Sequence, residues 1–285
     1  MIHKFKLFKS PIYWAFLYLF IFSSTIASAK ENSIRIAGST TVLPVVSRAA
    51  EKYKLKHPDI SITVNAGGSG VGFSSMADGR VDIGMMSRKI SEKERKKYDG
   101  QKFNIYTLGR DGVACVVSSE IYSAGVTALS KKQIADIYSG KIKNWKALGG
   151  PDKKIVVVDK ERHRGTRHAF MEYIFGNPTS RARGARLVSG SNNEEQAKIA
   201  QSNSAIGMLS QAWINKGVVG IALIHEGKRI EPSIENIMSS VYPISRDLDI
   251  ATQKNVSSDV QQFIEFLLSQ EVQPIIEKSG YVPIR

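Results

Sequence analysis

Apolar positions along this chain recur with a period of two in some stretches and about 3.6 in others, and the switches fall at regular intervals. Ser33 to Ala37 (SIRIA) alternates as a strand and runs into Gly38-Ser39-Thr40-Thr41. A helical pattern follows, carrying Val45, Val46, Ala49, Ala50, Tyr53 and Leu55. Ser39 to Thr41 are expected to cap that helix, Pro44 suits its first turn, and His57-Pro58 ends it. Ile60 to Val64 reads as the next strand, Gly70 to Ala77 as a short helix, Val81 to Met85 as a strand and Ser91 to Tyr98 as a charged helix. Asn104 to Leu108 is a strand, and Gly112 to Ser118 is an apolar run after a polar turn at Arg110-Asp111, where the first lobe crossing is expected.

The second half repeats the alternation. A helix from Ser130 ends near Tyr138 to Gly140, Trp145 fills core, and Ile155 to Val158 is a buried strand leading through DKERHRGTRHAF into another helix. Further on come a helix from Glu194 to Gln201, a strand from Ala205 to Leu209, strand-like runs at Val218 to Ile224 and Ile237 to Ile244, and terminal helices at Ser257 to Ser269 and Glu271 to Lys278 that pack back on the first lobe. Strands alternating with helices predict parallel sheets, and in open parallel sheets a ligand sits at the carboxyl ends of the strands.

The chemistry concentrates at the strand-to-helix junctions. Gly67, Gly68 and Gly70 let backbone N–H groups point into one space, with Ser69 at the start of the next helix, so an anion can be held there. Ser39 and Ser87 are expected at neighbouring strand ends. At a fourth junction Arg164, Gly165 and Thr166 bring a guanidinium, N–H groups and a hydroxyl to a helix start, and Ser191 or Asn192 can face the same cleft. Asp82 is the anomaly, because a carboxylate beside an anion site is unfavourable unless the ligand brings a proton. Phosphate near neutral pH carries a proton and sulfate does not, so Asp82 is expected to select the former.

Composition adds an address. Lys4, Lys6 and Lys9 precede an apolar run from Ile12 to Ile26 and then Ala27-Ser28-Ala29, the pattern of a secretory signal peptide over 1–29. Cleavage after Ala29 leaves no cysteine to carry a lipid, so the expected product is soluble and periplasmic. The net charge of +14 falls to about +11 without the leader lysines and favours anionic partners. The single cysteine, Cys115, lies in an apolar run and reads as a small core hydrophobe rather than half of a disulfide. There is no HExxH run, no Gly-x-Ser-x-Gly elbow and no serine-histidine-acid arrangement, so the chain is not read as an enzyme.

GSTTVLP, GGSGVGF, VDIGMMSR and KERHRGTRHAF, in that order behind a secretion signal, make the chain resemble the periplasmic phosphate-binding proteins of bacterial phosphate ABC importers, with IYSGKIKNW and SAIGML as further family-like stretches. The resemblance implies an α/β, two-lobed type II periplasmic binding protein fold, each lobe a mostly parallel sheet flanked by helices, with the ligand in the cleft between them. The expected division is 30–114 plus 237–285 for lobe 1 and 115–236 for lobe 2. It further implies phosphate contacts from Ser39, Thr40, Thr41, Ser69, Gly70, Gly165 and Thr166, with Asp82 as the carboxylate and Ser87 beside it. The last motif departs from the family pattern: Lys160 takes an arginine position and Arg164 a serine position, so both enter the candidate set. The implied partners are inorganic phosphate and the permease subunits of an importer, with no cofactor, no metal, no specific nucleic acid and a monomeric state. The competing expectations are a secreted surface or matrix protein that reuses this fold, and a binding protein for another oxyanion.

Overall fold

A computed structural model describes residues 32–284, and the expected leader lies outside them. The first half is built on β1 (Ser33–Gly38), followed by α1 (Leu43–Lys54), β2 (Ser61–Ala66), α2 (Ser69–Ala77), β3 (Ile83–Met86) and α3 (Glu92–Lys97). β1 lies between β2 and β3 and is parallel to both, so all three carboxyl ends share one edge. α1 begins without a side-chain cap, on Val42, and Ser39 instead accepts the N–H of Thr41 within the preceding turn. That leaves the first junction's hydroxyls outside the helix.

The chain then enters β4 (Phe103–Ser118), one strand of 16 residues where the sequence pattern suggests two pieces and a turn. Arg110 and Asp111 do not break it, because Asp111 sits opposite Arg246 in the ladder and their side chains pair across the sheet. Beyond it come α4 (Ser119–Ser123), β5 (Ala128–Ser130), α5 (Lys131–Ser139), β6 (Val156–Lys160), α6 (Gly165–Phe175), β7 (Ala185–Ser189), α7 (Asn192–Ala200) and β8 (Ala205–Ser210). α5 is closed at both ends, by a Ser130–Gln133 capping box and by Gly140 in the left-handed conformation. β6 runs parallel to both β7 and β8.

The expected strand at Val218 to Ile224 divides into β9 (Val218–Gly220), which joins β4, and β10 (Ala222–His225), which joins β5 and the short β11 (Lys228–Ile230). The expected strand at Ile237 to Ile244 is instead helix α8 (Ile234–Met238) and a turn, with Ser233 as the helix cap. The strand in this region is β12 (Ser245–Gln253), whose three charged residues hide its alternation. α9 (Ser258–Leu267), α10 (Gln273–Lys278) and β13 (Val282–Pro283) complete the chain.

The strands join in the order β2-β1-β3-β12-β4-β8-β6-β7. β4 carries the sheet from one half to the other: residues 103–112 pair antiparallel with β12, and 113–117 pair antiparallel with β8. One core packs α1, α9 and α10 on the first half's strands, around Ile36, Val46, Phe263 and Ile276. The second surrounds Trp145, Tyr138 and Phe170 and also takes in Ile237, Tyr242 and Ile244. Trp145 is fully buried with its indole N–H given to the Ser204 carbonyl at 2.9 Å, and Cys115 is fully buried beside Val113 and Val117. Burial pushes the Cys115 thiol up, so it stays protonated and unreactive.

Candidate anion-binding site

Both halves turn carboxyl ends of strands toward one small cavity. From the first half, β1 ends at Gly38, where a side chain is impossible because a Cβ would lie 2.2 Å from the Met85 carbonyl oxygen. The close approach puts Ser39 beside the end of β3, with its N–H on the Met85 carbonyl at 2.9 Å and its Oγ donating to Ser87 Oγ at 2.9 Å. Ser87 N–H donates to Ser69 Oγ at 3.0 Å, and the two hydroxyl oxygens are 3.4 Å apart. Three serines from three junctions therefore form one buried hydroxyl chain.

From the second half, β6 delivers Lys160, and α6 begins at Gly165 with Arg164 as its cap residue in extended conformation. Lys160 Nζ pairs with Glu195 and donates to the Ser191 carbonyl at 3.1 Å. Glu195 also accepts Met208 N–H at 2.7 Å and Ser189 Oγ at 2.9 Å. Burial pushes the Glu195 carboxyl up and the Lys160 ammonium down, and each partner's charge opposes the other's shift. Removing either member would strand a buried charge, a loss of about 3–5 kcal/mol. Arg164 is held by Glu161, which accepts from Nε at 2.8 Å and Nη2 at 2.6 Å.

The halves touch directly around the cavity. His163 Nε2 and the Gly67 carbonyl oxygen are 3.1 Å apart, Gly70 N–H donates to the His163 carbonyl at 3.1 Å, and Asn192 Nδ2 donates to Thr41 Oγ1 at 3.0 Å. Behind them lies Arg246 on β12, which donates through Nε and Nη2 to Asp111 Oδ2 at 3.0 and 2.7 Å. The same Nη2 reaches Thr41 Oγ1 at 3.2 Å and Thr166 Oγ1 at 3.1 Å, and Nη1 reaches the Ser87 carbonyl at 3.2 Å. Asp111 Oδ1 accepts from Ser210 at 2.8 Å. Burial is the largest influence on the Asp111 carboxyl and pushes it up, against the pull of Arg246.

Among the residues expected from sequence, Ser39, Thr40, Thr41, Ser87, Lys160, Arg164, Gly165 and Thr166 line this cavity, joined by Gly68, Ser191 and Asn192. Ser69 is fully buried one step back, supporting Ser87, and the Gly70 N–H is spent on His163 rather than on the cavity. Asp82 is not brought in, which corrects the carboxylate role expected for it. It precedes β3, whereas Ser87 follows it, so five residues of extended chain, about 16 Å, separate the two. At the amino end Asp82 accepts the Arg35 N–H at 2.8 Å and the Arg35 guanidinium at 3.0 and 3.2 Å. Arg246 and Asp111 are the functional residues that sequence reasoning missed, and neither carries a local motif.

The cavity is small, and every residue that lines it is polar, charged or glycine. That suits a small oxyanion. The lining offers hydroxyls, the N–H groups at the start of α6, an amide and two cations.

The pattern of known proteins agrees with this geometry. The family model described as a PBP superfamily domain matches residues 23–271. Phosphate-binding protein PstS of Bacillus subtilis is 33% identical over 254 residues, covering 89% of this chain and 81% of that protein. PstS of Borreliella burgdorferi is 27% identical over 261 residues, covering 90% and 91%. Among solved structures, a Clostridium perfringens substrate-binding protein with bound phosphate is similar with a TM-score of 0.80 and 32% identity, covering 89% of this chain and all of that one. An ABC-type phosphate transport receptor from Vibrio cholerae gives a TM-score of 0.70 and 32% identity, covering 88% and 100%.

Proposed function

The chain belongs to the PBP superfamily, and from that premise we propose that it captures inorganic phosphate in the cavity between its halves and delivers it to the permease subunits of an ABC importer. The observation that carries this reading is the convergence of strand ends from both halves on one small space lined by hydroxyls, helix-start N–H groups, an amide and two cations. In that space the anion is met by dipoles and by cations already balanced by carboxylates. Lys160 is neutralised by Glu195 and Arg164 by Glu161, so the anion is held by hydroxyls, amides and N–H groups at helix starts as much as by net charge. A dry cleft strengthens each of those bonds relative to water.

The halves act in this reading as two lobes. Its support is that the pairing of β4 changes from β12 to β8 at Gly112/Val113, next to Ile244 before β12, and that the halves touch directly across the cavity, as a closed state would. Capture is then closure of both lobes on the ligand, and release to the importer is reopening. The protein works outside the cytoplasm, in the periplasm, as a monomer and without catalysis.

The test is calorimetric titration of the purified protein, stripped of carried-over anion, with phosphate. One-to-one binding that survives raised salt is expected, because an enclosed site is screened far less than surface charge. Absence of binding would overturn the proposal, and binding that fades steeply with salt would point to scattered surface charge instead.

A further inference from the structure

Resting on phosphate as the ligand, we infer that its proton is met by the Ser39–Ser87–Ser69 hydroxyl chain, in a cavity with no carboxylate, and that the site therefore also takes sulfate. Among the described residues, none that lines the cavity carries a carboxylate. Three carboxylates that stand behind the lining are committed elsewhere. Asp111 gives one oxygen to Ser210 and the other to Arg246. Glu195 gives its oxygens to Met208 N–H, Ser189 and Lys160. Glu161 is bound by Arg164.

Thr41 cannot accept the proton either. Thr41 Oγ1 already accepts from Asn192 Nδ2 and from Arg246 Nη2, which occupies both of its lone pairs. Thr166 Oγ1 accepts from the same guanidinium, which can only donate, and keeps its second lone pair. Each threonine is left with one hydroxyl proton to give. Arg246 thus acts as a positioning residue that holds one hydroxyl from each half and, with Asn192, makes that of Thr41 a fixed donor.

The serines differ, since every neighbour in their chain is another hydroxyl or a backbone N–H. Ser87 lines the cavity 2.9 Å from Ser39 Oγ and 3.4 Å from Ser69 Oγ. With the Ser39 proton on Ser87, as the hydrogen bonds are arranged here, Ser87 can give its own proton to a bare anion oxygen. With Ser87 donating to a neighbouring serine, its oxygen accepts from a protonated one. A carboxylate in that place could only accept and would repel a proton-free anion. A neutral hydroxyl pays for the change with little more than a rotation.

Titration of the purified, stripped protein with phosphate and with sulfate, at one pH and ionic strength, tests this without any variant. Sulfate affinity within about tenfold of phosphate is expected, the scale of one neutral hydrogen bond. Phosphate binding accompanied by sulfate weaker by about a thousandfold or more would overturn the inference and leave the phosphate reading standing. Failure to bind phosphate at all would remove that reading and this inference with it. Ser87→Asp supplies the second arm, its fold checked by circular dichroism. The variant is expected to widen the phosphate-to-sulfate ratio by about a hundredfold or more, and an unchanged ratio in a folded variant would count against the role given to Ser87. Should the variant not fold, the ratio in the unaltered protein decides.

Discussion

Two carboxylates illustrate how far a single residue's surroundings set its role. Asp82 pairs with Arg35 at the outer end of β3, both side chains partly exposed. Such a pair contributes about 0–1 kcal/mol. Asp82→Asn is therefore expected to leave the ratio of phosphate to sulfate affinity unchanged in calorimetry and to shift stability by no more than about 1 kcal/mol. Asp249 is the opposite case. Burial beneath the sheet surface, with Asp247 nearby, pushes its carboxyl up to about 6. The folded state thus holds this proton more tightly than the unfolded chain. Its contribution to stability is complete below the ordinary aspartate value of 3.8 and is lost as pH rises through about 6. Asp249→Asn keeps an acceptor for Thr107 Oγ1, which donates at 2.8 Å. Urea unfolding across a pH series is expected to show the variant more stable by about 1–3 kcal/mol above pH 6, with that part of the decline between pH 4 and 6 removed.

At the scale of elements, the start of α6 decides how closely the halves can meet. A Cβ on Gly165 would lie 2.4 Å from Ser69 Oγ and 2.5 Å from Ser87 Oγ, both on the other half. Gly165→Ala is expected to weaken phosphate binding by roughly tenfold or more, since overpacking costs about 1–3 kcal/mol. Thermal unfolding of the variant without ligand should be little changed, because alanine suits a helix better than glycine does. The junctions themselves were legible in the sequence: glycine, serine and threonine between a strand and a helix are local signals of adjacent residues. β12 was not legible, because its apolar positions at Leu248 and Ile250 are interleaved with Arg246, Asp247 and Asp249. Those charges are tolerated only because β4 lies alongside and supplies Asp111 and Thr107 as partners.

For the whole molecule, charge and closure separate into different rates. A net charge that stays near about +11 without the leader lysines accelerates encounter with an anion over long range, so the association rate is expected to fall as salt is raised. In the proposed cycle, release depends on opening the contacts between halves. Asn192→Ala removes the amide that joins α7 to Thr41 and is expected to speed phosphate release by about tenfold in stopped-flow displacement, with the salt dependence of association retained.

The sequence by itself determined the α/β alternation, the hydroxyl and glycine junctions, the basic loop at Arg164 and the likeness to phosphate-binding proteins. Each of these is written in neighbouring residues, where propensity and turn chemistry act. Only the tertiary structure decided which end of β3 faces the cavity, and with it that Ser87 rather than Asp82 lines the cavity. It also decided that Arg246 stands behind Thr41 and Thr166, 205 and 80 residues away in sequence. Such pairings come from strands laid side by side across a crossing sheet, and no local pattern of residues encodes which charge will find which partner there.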